Sequence, residues 1–85
     1  MPTIDKNSVL WKEVDGKVVV LLLSSGTYCE LNSIGSDIWK LLAEGHDKDA
    51  IVAELGKQYK VSAGQLGKDV DTFFERMVEQ KLLEP

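Results

Sequence analysis

Two side chains in this sequence could serve as reactive centres, and each occurs once: Cys29 is the only cysteine and His46 the only histidine among 85 residues. A lone thiol forms no intrachain disulfide and no cysteine-rich zinc site. As a nucleophile it needs cationic neighbours to lower its pKa, and the strand-like run "TYCEL" supplies none, so Cys29 reads as a small packed hydrophobe. His46 falls at a helix–helix junction, where a solvated loop or capping role is expected. Alone it supports neither a histidine-rich metal site nor a Ser-His-Asp set. The glycines fall at turns, at helix ends or singly within helices and make no phosphate-binding loop. The carboxylates lie mainly on predicted polar helix faces. No catalytic constellation and no cofactor are expected, which leaves binding as the chemistry to look for.

Charge narrows the partner. Nine lysines and one arginine stand against 14 acids, for a net charge of -4 and a pI near 4.8. A nucleic-acid binder concentrates basic residues on one face to displace counterions from phosphates, so nucleic acid is a disfavoured partner. The N-terminus "MPTIDKNSVLWKE" carries no basic stretch followed by an apolar one. The longest apolar run, Val18 to Leu23, is far below the roughly 20 residues that span a bilayer. No membrane partner is expected, and a reducing cytoplasm is the expected location.

Turn chemistry and periodicity place these residues on elements. "VLWKEV" (9–14) meets Asp15-Gly16, a pair that favours the positive φ of a two-residue hairpin turn. "KVVVLLL" (17–23) has no polar alternation and reads as a central strand covered on both faces. Ser24-Ser25-Gly26 turns the chain into a third strand, Thr27 to Leu31. Asn32 caps a first helix carrying Ile34, Ile38, Leu41 and Leu42, which Gly45 ends. Asp47 caps a second, with Ile51, Val52, Leu55 and Tyr59 on its apolar side and Gly56 as a mild penalty. Ser62 and Gln65 match a capping box opening a third helix that runs towards Gln80. The expected fold is α+β and winged-helix-like: a three-stranded antiparallel sheet followed by three helices, in a single domain over 1–85 with its core at about 9–84.

On the third helix Leu66, Val70, Phe73, Phe74, Met77 and Val78 fan across an arc of about 140°, wider than the roughly 100° stripe that faces a core. Periodicity does not separate six core residues from a core plus a groove wall. The third strand has a free edge, and successive N–H groups along it alternate between neighbours, so either Tyr28/Glu30 or Thr27/Cys29/Leu31 must face outward.

Three stretches carry a resemblance: "GTYCELNSIGSDIWKLLAEG", "IVAELGKQYKVS" and "DVDTFFERMVEQKLLE". With Gly26, Tyr28, Leu31-Asn32, Gly35 and Ile38-Trp39 in matching places, and Asp69-Val70, Phe73-Phe74 and Leu82-Leu83 in support, the chain resembles the PqqD-like superfamily. These are the small domains called RiPP precursor peptide recognition elements. The resemblance implies a non-catalytic, winged-helix-like peptide chaperone of natural product biosynthesis. A leader peptide adds as a strand beside strand three, lies in the cleft between that strand and helix three, and is presented to a modifying enzyme such as a radical SAM enzyme or a leader peptidase. The peptide-binding residues so implied are Thr27, Tyr28, Cys29, Glu30 and Leu31 on the strand, with Leu66, Asp69, Val70, Phe73, Arg76 and Met77 on the helix. Phe73 and Met77 are expected on the groove wall, Phe74 and Val78 in the core. "SSG" stands where PQQ-pathway members have a "PEG"-like turn, and the pattern looks closer to stand-alone recognition proteins of other pathways, lasso peptides included. Two other classes fit the same elements: a winged-helix DNA-binding regulator, opposed by Asp69, Asp71, Glu75 and Glu79 on the third helix, and an assembly subunit exchanging strands at the free edge.

Overall fold

A computed structural model describes residues 1–85. Three strands, β1 (Val9–Val14), β2 (Lys17–Leu22) and β3 (Thr27–Glu30), precede three helices, α1 (Ser33–Ala43), α2 (Lys48–Gln58) and α3 (Ala63–Glu79). Asp15 and Gly16 take φ of 53° and 83°, and the hairpin they close pairs Val14 with Lys17 and Val9 with Leu22. A second turn ending at Gly26, φ 72°, reverses the chain so that β3 pairs Thr27 with Leu22 and Glu30 with Val19. Strand order is β1-β2-β3, which leaves β3 at an edge.

The helices begin where short polar side chains can accept a free backbone N–H. Asn32 accepts from Gly35 at 2.8 Å, Asp47 from Ala50 at 2.9 Å and Ser62 from Gln65 at 3.2 Å. Only half of the expected capping box forms at Ser62, because the Gln65 amide donates forward to Asp69 at 2.9 Å. Gly45, φ 94°, follows the end of α1 as expected, and His46 finishes it: its N–H donates to the Leu41 carbonyl at 3.1 Å, and its ring Nδ1 lies 3.1 Å from the same oxygen. Beyond α3, Lys81 turns at φ 64° and returns Leu82 and Leu83 to the core, and Thr3 and Glu84 then exchange two backbone hydrogen bonds of 2.9 Å.

The core lies on one face of the sheet. Val18 and Val20 of β2 and Val9 of β1 pack towards Ile38 and Trp39 of α1, while Ile51 and Leu55 of α2 meet Leu66 and Val70 of α3. Trp39 is fully buried and meets Trp11 of β1 edge to face at a centroid distance of 6.2 Å. β2 departs from expectation. Its alternate residues Val19 and Leu21 are only half-buried, since α1 packs on the Val18/Val20 side, α2 packs on α1 and α3 on α2, and no helix covers the other face. No helix is long and apolar enough to cross a membrane.

Candidate functional site

The β3–α1 junction is held by one hydroxyl. Leu31 N–H donates to the Val18 carbonyl at 2.8 Å, but Val18 N–H donates to Ser36 Oγ, also at 2.8 Å, and that hydroxyl in turn donates to the Leu31 carbonyl at 3.2 Å. Ser36, fully buried in the first turn of α1, is thus spliced into the β2–β3 ladder. Its role has no local signature in sequence, because its partners lie eighteen residues back and five residues back.

The same bond sets the parity of β3. With Leu31 N–H directed at β2, antiparallel alternation directs those of Cys29 and Thr27 the same way, and the N–H and C=O groups of Tyr28 and Glu30 point away from the sheet. Side chains alternate perpendicular to this. Cys29 and Leu31 lean to the helix side; Tyr28 and Glu30 lie on the opposite face, where Glu30 meets Lys17 at 4.0 Å.

Alongside the free edge runs a cleft of about 530 Å³ between β3, the start of α1 and α3. One wall is Cys29, Glu30 and Leu31; the floor is Ile34, Gly35 and Ile38; the far wall is Asp69, Thr72, Phe73, Arg76, Met77 and Gln80. Gly35 lets the walls approach: a Cβ there would stand 3.1 Å from both Phe73 Cε1 and Asn32 Oδ1. Burial pushes the Cys29 thiol above its ordinary pKa, which keeps it neutral and suits an apolar lining better than a nucleophile. Arg76 is free of any ion pair on the far wall, while Asp69 is occupied by Gln65. The cleft thus combines an unpaired strand edge, an apolar floor and one available cation.

Of the residues expected at the site, seven meet at this cleft: Cys29, Glu30, Leu31, Asp69, Phe73, Arg76 and Met77. Thr27 and Tyr28 stand on β3 but do not line it; Tyr28 projects from the other sheet face. Leu66 and Val70 require correction. Both are fully buried, because they occupy the side of α3 that packs on α2. Asn32, Ile34, Gly35, Ile38, Thr72 and Gln80 also line the cleft, outside the set of peptide-binding residues expected from the sequence. Thr72 and Gln80 were reachable from sequence, being one helical step from Asp69, Phe73 and Arg76.

The family model described as coenzyme PQQ synthesis protein D (PqqD) matches residues 17–83, which include the edge strand, the cleft floor and the far wall. The chain belongs to the PqqD family. Among solved structures, this PqqD-family chain is similar to TbiB1 in complex with the TbiA(beta) leader peptide. The identity is 34%, over 96% of this chain and 94% of that one, with a TM-score of 0.91. The lasso peptide synthetase B1 complexed with its leader peptide shares the fold, with 22% identity, a TM-score of 0.87 and 94% coverage of each chain. Comparison with curated proteins by sequence finds no match.

Proposed function

We propose that this protein binds the leader segment of a ribosomally synthesised precursor peptide as an added strand on β3 and delivers it to a modifying enzyme. It contributes no catalytic group of its own. The observation that carries this reading is the unpaired edge at Tyr28 and Glu30 set directly beside a cleft with an apolar floor. An added strand gains ladder hydrogen bonds from the two outward residues, each worth a net of only about 0.5–1.5 kcal/mol. Alternate side chains of that strand enter the cleft, where Leu31, Ile34, Phe73 and Met77 offer apolar contact and Arg76 a charge-assisted partner, and these supply the selectivity. The recognition unit spans residues 9–84, and the setting is the cytoplasm, where precursor and enzyme are made. The enzyme is of the radical SAM or leader-peptidase class.

Proline tests the edge. It deletes one N–H and is tolerated in a sheet chiefly where that group faces away from the ladder. Glu30→Pro and Tyr28→Pro are expected to keep a folded circular dichroism spectrum and lose affinity for a synthetic leader peptide. Cys29→Pro is expected to unfold the sheet. The alanine variants at the same positions keep the N–H and are expected to retain most of the affinity. If every folded proline variant binds the leader as the parent does, strand addition at β3 is wrong.

A further inference from the structure

The sheet face turned away from the helices carries no packed element. Leu10 and Lys12 of β1, Val19 and Leu21 of β2 and Tyr28 of β3 line a shallow depression of about 220 Å³ there. Tyr28 is 74% exposed and Leu10 57%. Exposed apolar side chains scattered singly need no explanation, but a contiguous set on one face of a sheet marks an interaction surface.

We propose that this open face docks the modifying enzyme, through an apolar patch on the enzyme that carries a carboxylate opposite Lys12. The proposal rests on the leader-capture reading, and two observations choose the occupant. The first is continuity. A strand added beyond β3 lengthens this same face, since those of its side chains that do not enter the cleft fall beside Tyr28. A protein seated here therefore touches the carrier and its loaded peptide together, as an enzyme that must distinguish loaded from empty carrier needs to do. The second is charge. Lys12 makes no ion pair, whereas the face's other charges, Lys17 and Glu30, already meet each other. A second copy is a poor complement, because a two-fold contact lays the face on itself and brings Lys12 to a surface with no free carboxylate. The matching acid has to come from a different protein.

Leu10→Glu and Lys12→Glu test the face, because both positions are exposed and neither lies on β3 or in the cleft. The probes are a synthetic leader peptide and the modifying enzyme that processes its precursor. Each variant is expected to weaken enzyme binding by roughly tenfold or more while changing leader affinity by less than about twofold, with Lys12→Arg close to the parent. Leader is expected to tighten enzyme binding to the parent protein. Enzyme affinity unchanged in both glutamate variants overturns the proposal. So does a parent protein of twice the monomer mass that Leu10→Glu converts to monomer, since a second copy then covers the face. A parent protein that binds no leader overturns the leader-capture reading instead, and the enzyme titration of Leu10→Glu still decides the face.

Discussion

The two flanks of α3 differ in what faces them more than in what they are made of. Leu66, Val70 and Phe74 are buried against α2 and the returning C-terminal segment, whereas Asp69, Thr72, Phe73 and Arg76, one step round the helix, face the open cleft that β3 borders on its other side. Phe73 and Phe74 are adjacent, their ring centroids 6.3 Å apart, yet one is core and the other is cleft wall. Met77 belongs to both, nearly buried and still part of the wall. A single apolar arc can thus serve stability along one margin and recognition along the other.

The largest expected effect tests that division directly. Phe74→Ala should cost about 3–5 kcal/mol in chemical denaturation, the usual range for a buried phenylalanine, and leave leader affinity near the parent value in the fraction that folds. Phe73→Ala should cost clearly less stability and most of the affinity, measured by calorimetric titration. The reverse outcome would put the cleft on the wrong flank. Next in size is Ser36→Ala, which strips Val18 N–H of its acceptor inside the sheet and should cost about 1–3 kcal/mol. Ser36→Ala acts on the strand edge from behind, so a loss of leader affinity beyond that of Phe74→Ala would tie recognition to the junction as well as to the helix.

Gly35→Ala sharpens the comparison at smaller cost. Replacing glycine within a helix gains up to about 1 kcal/mol, while the new Cβ presses on the Phe73 ring, which can yield because it borders open space. Stability should change by less than about 1 kcal/mol and leader affinity should fall, so recognition is altered with the fold left intact. The smallest effect lies away from the cleft altogether. Tyr59 donates to Asp37 at 2.6 Å, and that carboxylate, with partial burial, pushes the phenol up to about 12. A folded pKa above the unfolded value of about 10 stabilises the neutral form, so this contribution is complete below about pH 10 and is lost as pH rises through about 12. Denaturation midpoints followed across that window should fall less steeply in Tyr59→Phe, with leader affinity unchanged.

Local rules carried most of the fold. Asp15-Gly16, Asn32, Asp47, Ser62 and Gly45 each act within a few residues of themselves, and the elements they bound begin and end close to where turn and cap chemistry puts them. The misplacements share one cause, dependence on what packs opposite. Leu66 and Val70 have the same helical period as the cleft wall, and only the position of α2 assigns them to the core. β2 reads as doubly covered because an unbroken apolar run looks alike whether its second face is packed or reserved for a partner. The outward parity of Tyr28 and Glu30 hangs on Leu31 pairing with Val18, a contact that no spacing within β3 encodes.

The Ser36 splice bears on the thermodynamics of capture. By joining Leu31, the residue just after β3, and the first turn of α1 to Val18 through one hydroxyl, it holds the edge strand extended before any peptide arrives. The conformational entropy lost on association then falls almost wholly on the incoming segment, about 1–2 kcal/mol for each of its residues that becomes ordered. Binding to such a preorganised edge is expected to be driven by enthalpy, opposed by entropy in proportion to the length of peptide ordered, and strengthened by any substitution that stiffens the free peptide in an extended conformation.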